Sequence, residues 1–261
     1  LTMLVIGLST GGAGGLVGSL LALLPVFPVV AAFLWLDRFE SEPASLLAFA
    51  FAWGATTAVV ISLIFSIGSM LVIGGDDVIG AVIVAPLVEE PAKGLAILGV
   101  LLIRRRQFHG VIDGIVYAGM SGVGFAFAEN ILYLGSEYQA SGLGGAITLF
   151  LIRCVMGPFA HPMFTAAFGI GLGLAVRTPH TALKILYPLA GMAVAMFLHS
   201  LWNLLAMTGS GFLVGYVLLQ LPIFITFVVF AILMRAREGQ MLNRHLQVYA
   251  QTGWITPQEL A

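Results

Sequence analysis

The chain has 261 residues, of which 60% are hydrophobic and only 9% charged, against roughly 25% charged in a soluble domain. That balance excludes a water-soluble globular protein and makes the chain an integral membrane protein, with the lipid bilayer as its first partner. A formal net charge of −1 offers no broad basic surface, which excludes nucleic acid as a partner.

Apolar stretches long enough to cross a bilayer at about 20 residues each fall at 16–36, 44–72, 78–103, 111–134, 145–176, 182–207 and 212–234. The expected fold is an all-α membrane protein, a bundle of about seven transmembrane helices, with Pro-broken helices around a polar intramembrane cavity. Residues 1–12 are apolar but too short to span, and the chain starts without methionine, so an upstream piece is expected. The 32 glycines favour close helix approach, notably in the runs at 119–126 and 169–173. Cys154 stands alone inside the fifth stretch, so there is no disulfide framework and no CxxC metal knuckle.

Orientation follows from the cations. Arg38, Arg104, Arg105, Arg106, Arg177, Lys184, Arg235, Arg237 and Arg244 all fall on one side, and Lys93 and Arg153 lie inside spans. By the positive-inside rule the side with the RRR loop and the C-terminus is cytoplasmic. No repeat or linker divides the chain, which reads as a transmembrane domain over 1–234 and a cytoplasmic amphipathic tail over 235–261. The tail closes on TPQE at 256–259, a capping box with proline at the first helical position. A helix is announced where the sequence stops, so the tail is expected to be truncated. The acidic loop 37–43 (DRFESEP) reads as a solvated connector, with Pro43 suited to the first turn of the next helix.

The third stretch carries Glu89 and Glu90, between Pro86 and Pro91. An ionised carboxylate at bilayer depth costs at least ~2.5 kcal/mol, so two in a row should face a polar interior and are candidates for chemistry. The competing reading is a structural ion pair with Lys93, which lies within one helical turn of both. Glu129 in the fourth stretch is near enough to the outer end to reach the interface, so by itself it is as readily structural as functional. Asp113, at the cytoplasmic end of the same stretch, reads as a cap or an ion partner. In the fifth, His161 sits between Pro158 and Pro162, while Arg153 is placed to hold a carboxylate, a substrate backbone, or Glu129 as a structural partner. The sixth contains His199 and Asn203, an i,i+4 pair on one face, suited to an interhelical bridge as well as to catalysis.

Counted from the helix ends, Glu89, Glu90, Glu129, His161, His199 and Asn203 fall between mid-bilayer and the outer leaflet and can meet in one cavity. Peptide hydrolysis needs a carboxylate to take a proton from water and return it to the leaving amine, with donors for the oxyanion. Two histidines and a glutamate can instead hold a catalytic Zn²⁺ with another glutamate as base. Composition and spacing leave both open.

Four motifs in four successive stretches, EEPAK at 89–93, DGIVYAGMSGVGFAFAEN at 113–130, HPMFTAAFGIGLG at 161–173 and HSLWN at 199–203, resemble the PrsW family of intramembrane proteases, distant relatives of the CAAX-prenyl endopeptidases. DRFESEP and the tail GWITPQEL are also similar to that family, and the resemblance runs from about residue 35 to the end. It implies an intramembrane endopeptidase making site-1-type cuts in a single-span membrane protein, for example an anti-sigma factor, in a prokaryotic plasma membrane. It implies Glu89, Glu90, Glu129 and His161 as active-site residues, and His199 with Asn203 as the element that binds the oxyanion in the CAAX-type relatives. Lys93 and Arg153 would support the carboxylates. Where zinc is used, His161, His199 and Glu129 are the expected ligands. Ala118 departs mildly from the pattern, which more often has glycine there. Two other readings stay open: a CAAX-type prenyl-protein endopeptidase, which would need a cytoplasmic cavity, and a proton-coupled transporter, which should show a repeat of its motifs.

Overall fold

The computed structural model describes residues 2–254, which are all helix and connecting turns. The capping box expected at 256–259 lies outside the described residues. In chain order the helices are α1 (Thr2–Leu36), α2 (Ala44–Trp53), α3 (Val59–Ile73), α4 (Asp77–Ile79), α5 (Ala85–Ile103), α6 (Val111–Phe150), α7 (Ala160–Arg177), α8 (Thr181–Ala206), α9 (Phe212–Gly215) and α10 (Leu221–Gln251). Five stretches are long and apolar enough to cross a membrane: Val5–Phe39, Ala44–Val72, Val111–Arg177, Thr181–Ala206 and Gly209–Gln251. Within α1, residues 2–10 are helical and meet the rest of the helix at a kink at Gly11 (φ 61°).

A helix rises about 1.5 Å per residue, so α6 drawn straight would run about 60 Å, twice a bilayer core. It does not run straight. Residues 130 and 153 would then lie roughly 35 Å apart, yet the Arg153 Nε donates to Asn130 Oδ1 at 2.8 Å. The chain doubles back at Gly142, whose φ of 70° and ψ of −165° belong to a region open to glycine and closed to side chains with a Cβ.

Four π-helical turns interrupt the helices, at Gly54–Ala58, Gly80–Val84, Leu151–Met156 and Tyr216–Gln220. The last three each end two residues before a proline: Pro86, Pro158 and Pro222. Proline has no N–H for the carbonyl four residues earlier, and its ring crowds that carbonyl; a wide turn lets the carbonyl pass to the next amide. Proline therefore acts here in two ways. At Pro86 and Pro91 the helix continues beyond the wide turn, whereas at Pro158 it breaks over 157–159 before α7 begins.

α6 is the axis of the bundle, packed by α1, α2, α5 and α7. Its contact with α7 is backbone to backbone: a Cβ added at Gly114 would stand 2.1 Å from the Gly169 carbonyl oxygen, and one at Gly169 would stand 2.0 Å from that of Gly114. At one end of the bundle, Arg235 stacks over Trp35 and Phe39 at 4.0 and 4.5 Å and donates to the Trp35 carbonyl. The Arg177 Nε donates to the His109 carbonyl, and the His109 ring meets Glu40 at 3.1 Å. The ends of α1 and α7, the start of α6 and residue 235 of α10 thus share one face.

The loop at 37–43 is more than the solvated connector its composition suggests. Asp37 and Glu42 are buried: the Glu42 amide donates to Asp37 Oδ2 at 2.8 Å, and the Tyr117 hydroxyl donates to Glu42 Oε2 at 2.5 Å. Burial pushes the Glu42 carboxyl up to about 7 against the downward pull of the Tyr117 hydrogen bond. Asp113 caps α6, accepting from the amides of His109 and Gly110.

Candidate active site

α5, α6, α7 and α8 bring their ionisable residues to one place. On α5, Glu89, Glu90 and Lys93 are buried, Glu90 at 1% and Lys93 at 0% exposure. α6 supplies Glu129 and Asn130, the wide turn Leu151–Met156 supplies Arg153, α7 supplies His161 and Thr165, and α8 supplies His199 and Asn203.

Glu90 is the fully satisfied carboxylate. Its Oε1 accepts from the Lys93 ammonium at 2.5 Å and meets His199 Nδ1 at 2.8 Å, and its Oε2 accepts from Thr165 Oγ1 at 2.9 Å. Glu89 is held far more lightly. Ser62 of α3 donates to its Oε1 at 3.1 Å, while its Oε2 is buried with no hydrogen-bond partner. That oxygen lies 3.8 Å from His199 Nε2 and 4.0 Å from Lys93 Nζ.

The partners fix the imidazole protons. A carboxylate only accepts, so Nδ1 of His199 carries the proton toward Glu90, and Nε2 faces Glu89 Oε2 at 3.8 Å. An ammonium only donates, so Nδ1 of His161, 3.1 Å from Lys93 Nζ, is the acceptor. Nε2 of His161 then donates to Glu129 Oε2 at 2.9 Å. Glu129 is also paired with the Arg153 guanidinium, which lies 4.1 Å over the Tyr133 ring. The two imidazoles meet edge to face at 5.0 Å, and Phe125 and Phe164 pack against the His161 ring.

Among the described residues, Glu89, His161 and His199 offer metal-ligand atoms that all lie within 4.8 Å of one another. This set has the three ligand types of a catalytic metal site, with an unpartnered carboxylate oxygen among them. Glu90 on His199 and Glu129 on His161 stand where carboxylates orient metal-binding histidines. The residue types and spacing therefore fit a metal ion, with one nitrogen of His161 exchanging its present partner, Lys93 or Glu129, for the ion. The carboxylate in this set is Glu89, while Glu129 faces Arg153 and His161.

A cavity of about 700 Å³ opens beside the cluster, lined by Glu89, Glu129, Arg153, His161, Trp202 and Asn203 among others, within the range of ligand clefts. The Asn203 amide donates to the Ala81 carbonyl in the wide turn Gly80–Val84 at 2.7 Å; a carboxamide has a second N–H. Every candidate residue from the sequence is in or beside this cluster. Ser62 and Thr165 were not singled out from the sequence. Thr165 lies one helical turn after His161, and Ser62 with Ser66 makes an i,i+4 polar pair in an apolar stretch, which were the available signals.

The chain matches the model of the family described as PrsW family intramembrane metalloprotease over residues 42–233, a span that encloses the whole cluster. It is 32% identical over 155 residues to a protein named Protease PrsW from Clostridioides difficile (strain 630), covering 57% of this chain and 63% of that protein, which is less than two thirds of its length. It is 29% identical over 187 residues to Protease PrsW of Geobacillus kaustophilus (strain HTA426), covering 71% of this chain and 78% of that protein. Similarity to Protease PrsW of Bacillus subtilis (strain 168) is 23% over 219 residues, 84% of this chain and 94% of that protein. No solved structure matches the chain at a significant level.

Proposed function

The chain belongs to the PrsW family of intramembrane metalloproteases, a family of peptide hydrolases, and from that premise we propose that it cuts a peptide bond of a membrane-anchored protein beside Glu89. The observation that carries this reading is the contrast within the glutamate pair: Glu90 is locked by Lys93, His199 and Thr165, while Glu89, which lines the large cavity, keeps its buried Oε2 without a partner. Glu90 is then a positioning group and Glu89 the group that meets water.

In this mechanism Glu89 takes a proton from water as the water oxygen adds to the scissile carbonyl carbon. Asn203 lines the cavity, and its second N–H is the donor for the carbonyl oxygen as it becomes negative. The C–N bond then breaks, the proton passes from Glu89 to the leaving amine, and the two ends depart as carboxylate and amine. In the alternative, metal-dependent version Glu89, His161 and His199 would instead hold the ion, zinc by their ligand types, which would polarise the carbonyl and acidify water in place of Glu89 acting as base. His199 is a ligand in this reading, through the Nε2 that faces Glu89. One observation favours a metal-free version with Glu89 as base: the Lys93 ammonium stands 3.1 Å from a nitrogen of His161, a position that opposes a dication beside it.

The substrate we infer is a single-span protein such as an anti-sigma factor, in a prokaryotic plasma membrane with the C-terminus of the enzyme cytoplasmic. Seven crossings follow if Val111–Arg177 is divided at Gly142 and Asp77–Ile103 is counted despite Glu89, Glu90 and Lys93. Residues 235–251 extend α10, and the tail over 235–261 is a cytoplasmic appendage. Purified protein is incubated with a single-span reporter, with and without chelator, and its metal content measured. Cleavage by the wild type and none by Glu89→Gln is expected. Equal cleavage by both would sink the assignment, and full activity in a metal-free sample selects the glutamate version.

A further inference from the structure

Glu89 and Glu129 also border a second cavity, of about 400 Å³. Apart from Glu89, its walls come from α1, α3 and residues 125–136 of α6, whereas the large cavity is walled by α8, α9, the wide turn Leu151–Met156, the segment around Ala81 and, on α6, Thr148 and Leu149 as well as Glu129 and Tyr133. The two share only Glu89, Glu129 and Tyr133.

Their linings differ in character. Four serines line the smaller cavity: Ser62, Ser66, Ser9 and Ser136. Ser62 is buried and donates to Glu89; Ser66, one turn along α3, is half-buried; Ser9 and Ser136 are exposed. Hydroxyls thus run from the surface to the carboxylate. The larger cavity is lined mainly by apolar side chains such as Trp202, Phe212 and Leu213.

We propose that the serine-lined cavity is the water route to Glu89 and that the apolar cavity takes the substrate segment, with Ser62 as the positioning residue that aims Glu89 between them. This rests on the protease reading above. A peptide filling the apolar cavity displaces the water on that side, so hydrolysis needs a second access that the substrate does not block. Serine hydroxyls both donate and accept and can conduct water through an otherwise apolar bundle, where each unpaired polar group is costly. The Ser62 hydroxyl holds one oxygen of Glu89 and leaves the other for the proton of the incoming water.

The test uses single cysteines on a Cys154→Ala background, since Cys154 is the chain's only cysteine. Ser66→Cys and Ser136→Cys report on the serine route, and Leu213→Cys on the apolar cavity. Each is assayed on the single-span reporter before and after labelling with a bulky methanethiosulfonate. A block that acts only after substrate is bound lowers kcat, while a block of uniform binding raises KM, so labelling at 66 or 136 should lower kcat about tenfold with KM nearly constant and labelling at 213 should raise KM about tenfold. Ser62→Ala should lower kcat, and Ser62→Thr, which keeps the hydroxyl, should restore most of it. A rise in KM on labelling at 66 or 136, or no effect there, overturns the proposal, as does equal loss in Ser62→Ala and Ser62→Thr. An unlabelled parent that cuts nothing overturns the protease reading instead, so the two failures are told apart.

Discussion

Lys93 Nζ lies 2.5 Å from Oε1 of Glu90, one turn earlier on the same helix, and neither side chain has measurable contact with solvent. Removing one partner of a buried pair typically costs about 3–5 kcal/mol, because the other charge is left without compensation. Lys93→Met and Glu90→Gln are therefore expected to lower the thermal midpoint in detergent by several degrees. Glu89→Gln should cost little stability and abolish cleavage, because its Oε2 has no partner to lose. If the glutamates served only as ion partners, all three variants would lose stability alike and Glu89→Gln would keep wild-type turnover.

Arg153 holds two acceptors at once, Asn130 through Nε and Glu129 through its terminal nitrogen. Lysine keeps the charge and loses the planar fork. Arg153→Lys should then cut turnover by about tenfold, the scale of one displaced orienting group, with the protein still folded. Circular dichroism and a cleavage assay on the same sample decide this, and undiminished activity would show that only the charge matters.

The α6–α7 contact permits no side chain at Gly169, where an added Cβ meets backbone that cannot rotate away. Overpacking of this kind typically costs about 1–3 kcal/mol, so Gly169→Ala should lower the thermal midpoint and reduce activity by displacing His161, two turns away on α7. Gly99→Ala is the control, since nothing lies within 4 Å of its added Cβ; it should be neutral or slightly stabilising.

Glu42 gives a pH dependence with a definite sign. Its folded-state value of about 7 is raised from 4.5, so the folded protein holds the proton more tightly than the unfolded chain. Stability from this group is full below about 4.5 and is lost as pH rises toward 7. Glu42→Gln should remove that slope, narrowing the difference between thermal midpoints measured at pH 5 and pH 8. An unchanged difference would mean that the group does not titrate in this window.

The sequence displays the cluster residues because charge is rare in an apolar chain, so Glu89, Glu90, Lys93, Glu129 and Arg153 stand out against their neighbours. What it leaves hidden is the difference between adjacent Glu89 and Glu90, which depends on which helix faces reach them: Thr165 and His199 on one side, Ser62 on the other. The helical stretches are visible through their length and apolarity. The path of Val111–Arg177 is less so, because the reversal depends on a single positive φ at Gly142, one glycine among three within four residues. Burial of Asp37 and Glu42 is also unannounced, since an acidic loop looks the same in sequence whether or not a tyrosine from a distant helix covers it.

The wide turns before Pro86, Pro158 and Pro222 bear on how chains of this kind can be compared and edited. A π-helical turn holds one residue more than an α-helical one, and each residue advances the helix by about 100°. Deleting one residue from Leu151–Met156 would therefore leave the apolar composition intact while turning Arg153 away from either Glu129 or the loop before His161. A relative aligned across such a turn can need a one-residue gap inside what looks like an uninterrupted membrane helix. Pairing of residues is then correctly read from the polar motifs on either side, because the number of residues between them is not what fixes the faces they share.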